Sequence, residues 1–272
     1  MPVNVAIAGA GGRMGQALIE ATLGAVPDFA LVAALDVAGS PALGRDAGER
    51  FGRTTGIVVG SDIDAAVKAA DVLIDFTRPA GTLGHAAACA RQLKALVAGT
   101  TGLTPAQKAD LAAHARTIPI VFAPNMSVGV NVLVKLVEMA AARLGPAYDI
   151  EIVEMHHKHK VDAPSGTALW LGEAAAAGAG VDLADHAVRA RDGVTGERKP
   201  GTIGFAALRG GDVVGEHTVV FAAAGERVEL THRATSRQNF AAGALRAAAF
   251  AAGRLAPLAP GLYGMNDVLG LA

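Results

Sequence analysis

The sequence predicts an α/β protein, with an N-terminal Rossmann-type parallel sheet domain followed by a second α+β domain on an open mixed or antiparallel sheet. Three observations carry this. A short β-branched run at residues 3–8 ends in the glycine string Gly9-Ala10-Gly11-Gly12-Arg13-Met14-Gly15. Buried-strand and helix patterns then alternate as far as residue 122, as a parallel sheet covered on both faces requires. Beyond Pro124-Asn125-Met126-Ser127 the later strands are no longer separated by helices.

Taken in order, residues 3–8 read as a strand buried on both faces, 16–22 as a helix and 31–35 as a second strand ending at Asp36. Residues 64–69 read as a helix, 72–76 as a third buried strand and 82–94 as a helix. A fourth strand, 96–98, runs into Gly99-Thr100-Thr101-Gly102. Thr104, with Pro105 next and Gln107 three positions on, has the pattern of an N-cap with a capping box. Residues 118–122 close a fifth strand. The second domain reads as a long helix at 130–144, a strand at 150–156, a helix at 165–177 and strands at 204–208, 212–222 and 227–233. The turns Arg209-Gly210-Gly211-Asp212 and Ala224-Gly225-Glu226 suit hairpins, and 193–200 is a polar loop. Residues 240–255 form a last helix, and the apolar tail 261–269 is expected to dock on the fold. The alanine runs 174–177 and 247–249 read as helix filler.

With 51% hydrophobic and 18% charged residues among 272, the chain has the composition of a folded protein, and disorder is excluded. A formal net charge of -1 provides no basic field for nucleic acid, so any anion site is local. A single cysteine, Cys89, excludes an internal disulfide and a cysteine-based zinc site and fits a reducing compartment, making cytoplasm the expected location. The first residues carry no basic leader, and no apolar stretch is long enough to span a bilayer uninterrupted, so neither a signal peptide nor a membrane span is expected.

The glycine string follows the first strand and opens the first helix, where glycines let a pyrophosphate approach backbone N–H groups at a helix N-terminus. Asp36 ends the second strand about twenty positions past Gly15, where an acidic group meets the adenosine ribose. An aspartate there accepts from both ribose hydroxyls and repels a 2′-phosphate. Val37 and Ala38 add no positive charge, so NADH is favoured and NADPH disfavoured, although Arg13 can still reach a 2′-phosphate and leaves NADPH open. Asp75-Phe76-Thr77-Arg78-Pro79 and Gly99-Thr100-Thr101 lie at strand ends on the same sheet edge and outline one crevice.

The densest polar cluster is Glu154-Met155-His156-His157-Lys158-His159-Lys160-Val161-Asp162, followed by Ala163-Pro164-Ser165-Gly166-Thr167 at a helix start. Histidine titrates nearest neutrality and exchanges protons during turnover, while the lysines add fixed charge that suits a carboxylate. Ser165 or Thr167 caps the helix, whose exposed N–H groups form an anion site. Zinc is disfavoured: His157 and His159 share a face if the strand continues, yet the interleaved lysines repel a cation.

At this segment the chain resembles the 4-hydroxy-tetrahydrodipicolinate reductases, also called dihydrodipicolinate reductases, of bacterial lysine biosynthesis. The likeness extends to residues 5–15, 75–79, 99–102, 123–131, Gly215-Glu216-His217-Thr218 and 261–271. The resemblance implies His156 as general acid/base and Lys160 as a second proton donor. It implies His157, Ser165, Gly166 and Thr167 as binders of a small-molecule dicarboxylate, and no metal. It places the cofactor against Gly9, Ala10, Gly11, Gly12, Arg13, Met14, Asp36, Gly99, Thr100, Thr101, Ala123, Pro124, Asn125 and Met126. It further implies NADH or NADPH as cofactor and a homotetramer built through the open sheets. The chain after about Ser236 is expected to return to the nucleotide domain, giving 1–127 with 237–272 as the dinucleotide-binding domain and 128–236 as the substrate-binding and oligomerisation domain. Two positions depart from the family pattern: Val37, where many members carry a basic residue, and Gly264, where Asp is usual.

Overall fold

The computed structural model describes residues 1–254 and 256–271. The chain divides into two compact units, Met1–Val128 with Arg237–Ala272, and Gly129–Ser236. In the first, β1 (Val3–Ala8), α1 (Arg13–Gly24), β2 (Phe29–Leu35), α2 (Ile63–Ala69), β3 (Val72–Asp75), α3 (Pro79–Arg91), β4 (Ala95–Ala98), α4 (Pro105–His114) and β5 (Pro119–Phe122) alternate. The second unit holds α5 (Val128–Leu144), β6 (Asp149–His156), α6 (Gly166–Ala179), α7 (Leu183–His186), β7 (Ala187–Val188), β8 (Ile203–Arg209), β9 (Gly215–Ala223) and β10 (Glu226–Ala234). The chain returns to the first unit with α8 (Gln238–Ala251), β11 (Gly261–Tyr263) and α9 (Met265–Leu269). Among the described residues, no helix is long and apolar enough to cross a membrane.

The first sheet is parallel throughout, in the order β11-β5-β4-β3-β1-β2. Its strands are continuous apolar runs because both faces are covered. Val5 and Ile7 of β1 pack with Leu18 and Ile19 of α1 and the alanines of α8, while Ala6 and Ala8 pack with α2, α3 and α4 through Val67, Cys89 and Leu111. Strand order reverses between β1 and β3, and ligands of such sheets bind at the carboxyl ends beside that reversal. Of the run 247–249, expected to be filler, Ala247 and Ala248 are fully buried and join Ala241 and Ala244 in a contact surface on α8. A Cβ on Gly243 would stand 1.8 Å from the Met126 carbonyl oxygen, so the helix backbone lies against the end of the β5 connection. The Thr104 cap forms as the sequence indicates, with the Thr104 hydroxyl accepting from Gln107 N–H and the Gln107 side chain accepting from Thr104 N–H.

The second sheet is mixed, in the order β10-β9-β6-β8-β7. β6 runs parallel to β8 and antiparallel to β9, which forms a hairpin with β10. Helices α5 and α6 cover one face through Leu133, Val137, Leu171 and Ala175 against Ile152, Phe205, Val219 and Phe221. Gly225, at φ +88°, closes the β9–β10 turn as expected. The Arg209-Gly210-Gly211-Asp212 turn does not make a hairpin, because β6 lies between β8 and β9. Strand β6 ends at His156 and residues 157–160 turn, with Lys160 N–H donating to the His157 carbonyl, so His157 and His159 do not share a strand face. The short elements α7, β7, β11 and α9 were not anticipated. The last long helix is shorter than expected, ending at Ala251, and Leu255 lies outside the described residues.

Candidate active site

The glycine string forms a tight turn between β1 and α1. Gly9 sits at φ +76°, and a Cβ on Gly15 would stand 2.0 Å from the Gly9 carbonyl oxygen, so only glycine lets α1 start this close to β1. The N-cap of α1, Gly12, offers no side chain to its first turn, so the positive end of the helix carries no built-in anion. Asp36 accepts from Gly11 N–H at 2.8 Å and from its own neighbour Val37 N–H at 2.8 Å. A cavity of about 460 Å³ adjoins Gly11, lined also by Ser40, Ala42, Arg45 and Arg50, with Arg45 bound through two nitrogens to Glu49. At the end of β3, the Thr77 hydroxyl is buried with no hydrogen-bond partner among the described residues, an orphan that a bound dinucleotide would satisfy. These features fit a nicotinamide dinucleotide.

The neighbouring strand ends are tied together. Asp75 is fully buried, accepts from Thr77 N–H at 2.7 Å and lies 3.1 Å from His85 Nδ1. Burial pushes its carboxyl up, but the bond from His85 and the His85 charge lead the effects that outweigh it and hold it below the usual carboxylate range. The Thr82 hydroxyl donates to the Thr100 hydroxyl at 2.8 Å, and the ring of Phe76 fills the space a Cβ on Gly99 would need. Thr100 is 2% exposed and Met126 is wholly buried. Burial and the Asp75 charge push the Cys89 thiol up to about 12, so it is not a nucleophile.

In the second unit a polar network replaces the apolar face at the end of β6. Strand alternation turns Glu154 and His156 to the side of Ile150 and Ile152, and the register sets Arg209 of β8 beside His156 and His217 of β9 beside Glu154. Glu154 is 1% exposed and takes four donors: His156 Nδ1 at 2.6 Å, the two Arg209 terminal nitrogens at 2.7 and 2.8 Å, and Ser165 N–H at 3.0 Å. Burial raises its carboxyl, yet the bonds from Arg209, His156 and Ser165 prevail and keep it below its ordinary value. Ser165 caps α6 by accepting from Ala168 N–H at 3.2 Å, and its hydroxyl is 2.9 Å from His217 Nε2. The His217 ring stands edge-on to His156, centroids 5.1 Å apart. Lys160 is paired with Asp162 at 2.8 Å, and Arg209 donates to the Asp162 carbonyl, which ties the 157–165 turn to the sheet.

Two family models match, dihydrodipicolinate reductase N-terminus over residues 3–126 and dihydrodipicolinate reductase C-terminus over residues 129–269. The chain belongs to the dihydrodipicolinate reductase family. It is 59% identical over 271 residues to 4-hydroxy-tetrahydrodipicolinate reductase of Thiobacillus denitrificans, covering 100% of both chains. It is 59% identical over 269 residues to the reductase of that name from Burkholderia ambifaria, covering 99% of this chain and 100% of the relative. In fold it is similar to a dipicolinate-bound dihydrodipicolinate reductase from Paenisporosarcina sp. TG-14, at TM-score 0.76 and 24% identity, covering 98% and 99% of the two chains. An amine dehydrogenase from Mycobacterium smegmatis shares the architecture at TM-score 0.60 and 12% identity, covering 98% and 96%.

Within this dihydrodipicolinate reductase fold, the glycine string, Asp36, Gly99, Thr100, Thr101 and residues 123–126 fall in the first unit, and His156, His157, Lys160, Ser165, Gly166 and Thr167 in the second. Ser165, expected to touch substrate, is 2% exposed with its hydroxyl spent on Ala168 and His217, so its side chain works inside the fold. Gly166 opens α6 with clear space beside it. Glu154 was expected at the head of the polar cluster but without a role, and Arg209 and His217 were not anticipated as parts of the site. Desolvation, with the nearby His156 charge, pushes His217 down to about 4. The unfolded chain then binds a proton that the folded chain refuses as pH falls from about 6.5 to about 4, so stability drops across that window by about 3 kcal/mol. Urea denaturation at a series of pH values should show this slope, and His217→Phe should flatten it.

Proposed function

We propose that this chain is an NAD(P)H-dependent reductase converting 4-hydroxy-tetrahydrodipicolinate to tetrahydrodipicolinate in the diaminopimelate and lysine pathway. The observation that carries it is the identity with reductases of that name along the whole chain. When bound, the reduced nicotinamide supplies hydride to C4 of the conjugated ring imine. The first unit is the dinucleotide-binding domain, holding pyrophosphate over Gly9–Met14 and the adenosine ribose at Asp36. In the second, substrate-binding unit, His156 delivers the proton that completes reduction, and Lys160 assists loss of water from the 4-hydroxy group. His157, Thr167 and the backbone of Gly166 hold the carboxylates, and Ser165 keeps the start of α6 in place for them. The open face of the second sheet, which carries the exposed Leu208 and Thr231, serves assembly into a homotetramer in the cytoplasm. Following NADH oxidation by pure protein with freshly made substrate tests the assignment; no consumption refutes it.

Val37, 72% exposed, places an uncharged side chain where a 2′-phosphate would need a cation, and the Arg45 charge is met by Glu49. NADH is therefore expected to be at least as good a cofactor as NADPH. Steady-state constants favouring NADPH by orders of magnitude would refute that preference while leaving the reductase assignment intact.

A further inference from the structure

We propose that Glu154 is the positioning residue of the site: it fixes the His156 ring so that Nδ1 donates to its carboxylate and Nε2 alone exchanges the proton. The inference rests on the role given to His156 above, and it is drawn from donor and acceptor chemistry. An ionised carboxylate only accepts, and a guanidinium only donates. Arg209 bonds both oxygens of Glu154, which leaves the carboxylate no means of donating to the histidine. The 2.6 Å contact with Nδ1 is then an Nδ1–H donation, and in the neutral ring the lone pair sits on Nε2. Ser165 N–H closes the remaining side of the carboxylate and couples the orientation of His156 to the start of α6, where the substrate's carboxylates are placed.

The other edge of the ring has its own provision. A Cβ on Gly215 would stand 3.0 Å from His156 Nε2 and 3.4 Å from Cδ2, so the first residue of β9 leaves room at the nitrogen that must work. His217 packs edge-on against the same ring, at an interplanar angle of 76°. Nδ1 is clamped, the ring is walled, and Nε2 faces a glycine.

Selective 15N labelling of histidine tests this directly. The neutral His156 of the wild-type protein should show one tautomer, protonated at Nδ1. Glu154→Gln, whose amide can donate as well as accept, should admit the other tautomer and lower kcat on the order of a hundredfold, with KM for NADH unchanged. In a His156→Gln background the same change should cost nothing further, because a residue acting through His156 has nothing left to act on. Gly215→Ala should lower kcat with the tautomer and the thermal midpoint unaltered, and it decides the matter if Glu154→Gln fails to fold. A wild-type ring protonated at Nε2, unchanged kcat in Gly215→Ala, or additive losses in the double variant would each overturn the proposal. The spectrum does not depend on turnover: a fixed Nδ1–H ring in a protein inactive on the substrate would sink the reductase assignment and keep the positioning role.

Discussion

His156→Gln should lower kcat by roughly 10²–10⁴ while the dissociation constant for NADH stays within a factor of about two. Glutamine is close to histidine in size and still bonds the Glu154 carboxylate through its amide, so packing at the end of β6 is kept. What it loses is an imidazole, a side chain that can both give and take a proton. The cofactor residues belong to the other compact unit, so the substitution alters none of the residues proposed to hold NADH. Steady-state kinetics and fluorescence titration with NADH separate the two quantities. A variant with wild-type kcat would remove His156 from the chemistry, and one that loses NADH binding would show its role to be structural. Lys160 is held by Asp162 rather than by His156, so its removal should act as a separate, smaller loss.

The parallel sheet was legible because its signal is local: continuous apolar strands, glycines at the first turn and an acidic residue at the second strand end. What escaped was set by distant partners. β11 has three residues, too few for any periodicity, and it exists only because Gly261–Tyr263 meets β5. The Gly-Gly turn after Arg209 looked like a hairpin because turn chemistry reports a reversal and not which strand waits on the other side. Pairing of β8 with β6 in parallel is a tertiary choice, made where α5 and α6 cover the sheet.

At the site, His156 and Lys160 stood out because a basic cluster at a strand end is unusual on sight. Glu154 was legible as the head of that cluster but not as a buried carboxylate, although the strand rule could have found it. Ile150 and Ile152 alternate inward, and the same period carries Glu154 and His156 to the buried side. A carboxylate continuing a buried apolar stripe must have a cation, and Arg209 is that cation. Its pairing could not be read from sequence, because it depends on β8 lying beside β6. Ser165 was legible as a cap but not as a buried one, since its second partner, His217, comes from β9.

Arg209→Met should cost about 3–5 kcal/mol of stability, read as a fall in the urea midpoint at constant slope. The methionine keeps the aliphatic stem, so the loss isolates the charge. It strands a carboxylate that is 1% exposed with only His156 and one backbone N–H for company. The wild-type carboxylate is depressed below its ordinary pKa, so its contribution is present above about pH 4.5 and fades as pH falls through the lower folded value. Without Arg209, burial dominates and the carboxyl rises, so Arg209→Met should be relatively less harmful in acid than at neutrality. Adding Glu154→Gln to Arg209→Met removes the stranded charge and should recover much of the stability while activity stays low, because the His156 ring is no longer held. Equal losses in the single and double variants would mean that Arg209 contributes by packing or through the Asp162 carbonyl, and that Glu154 does not depend on it.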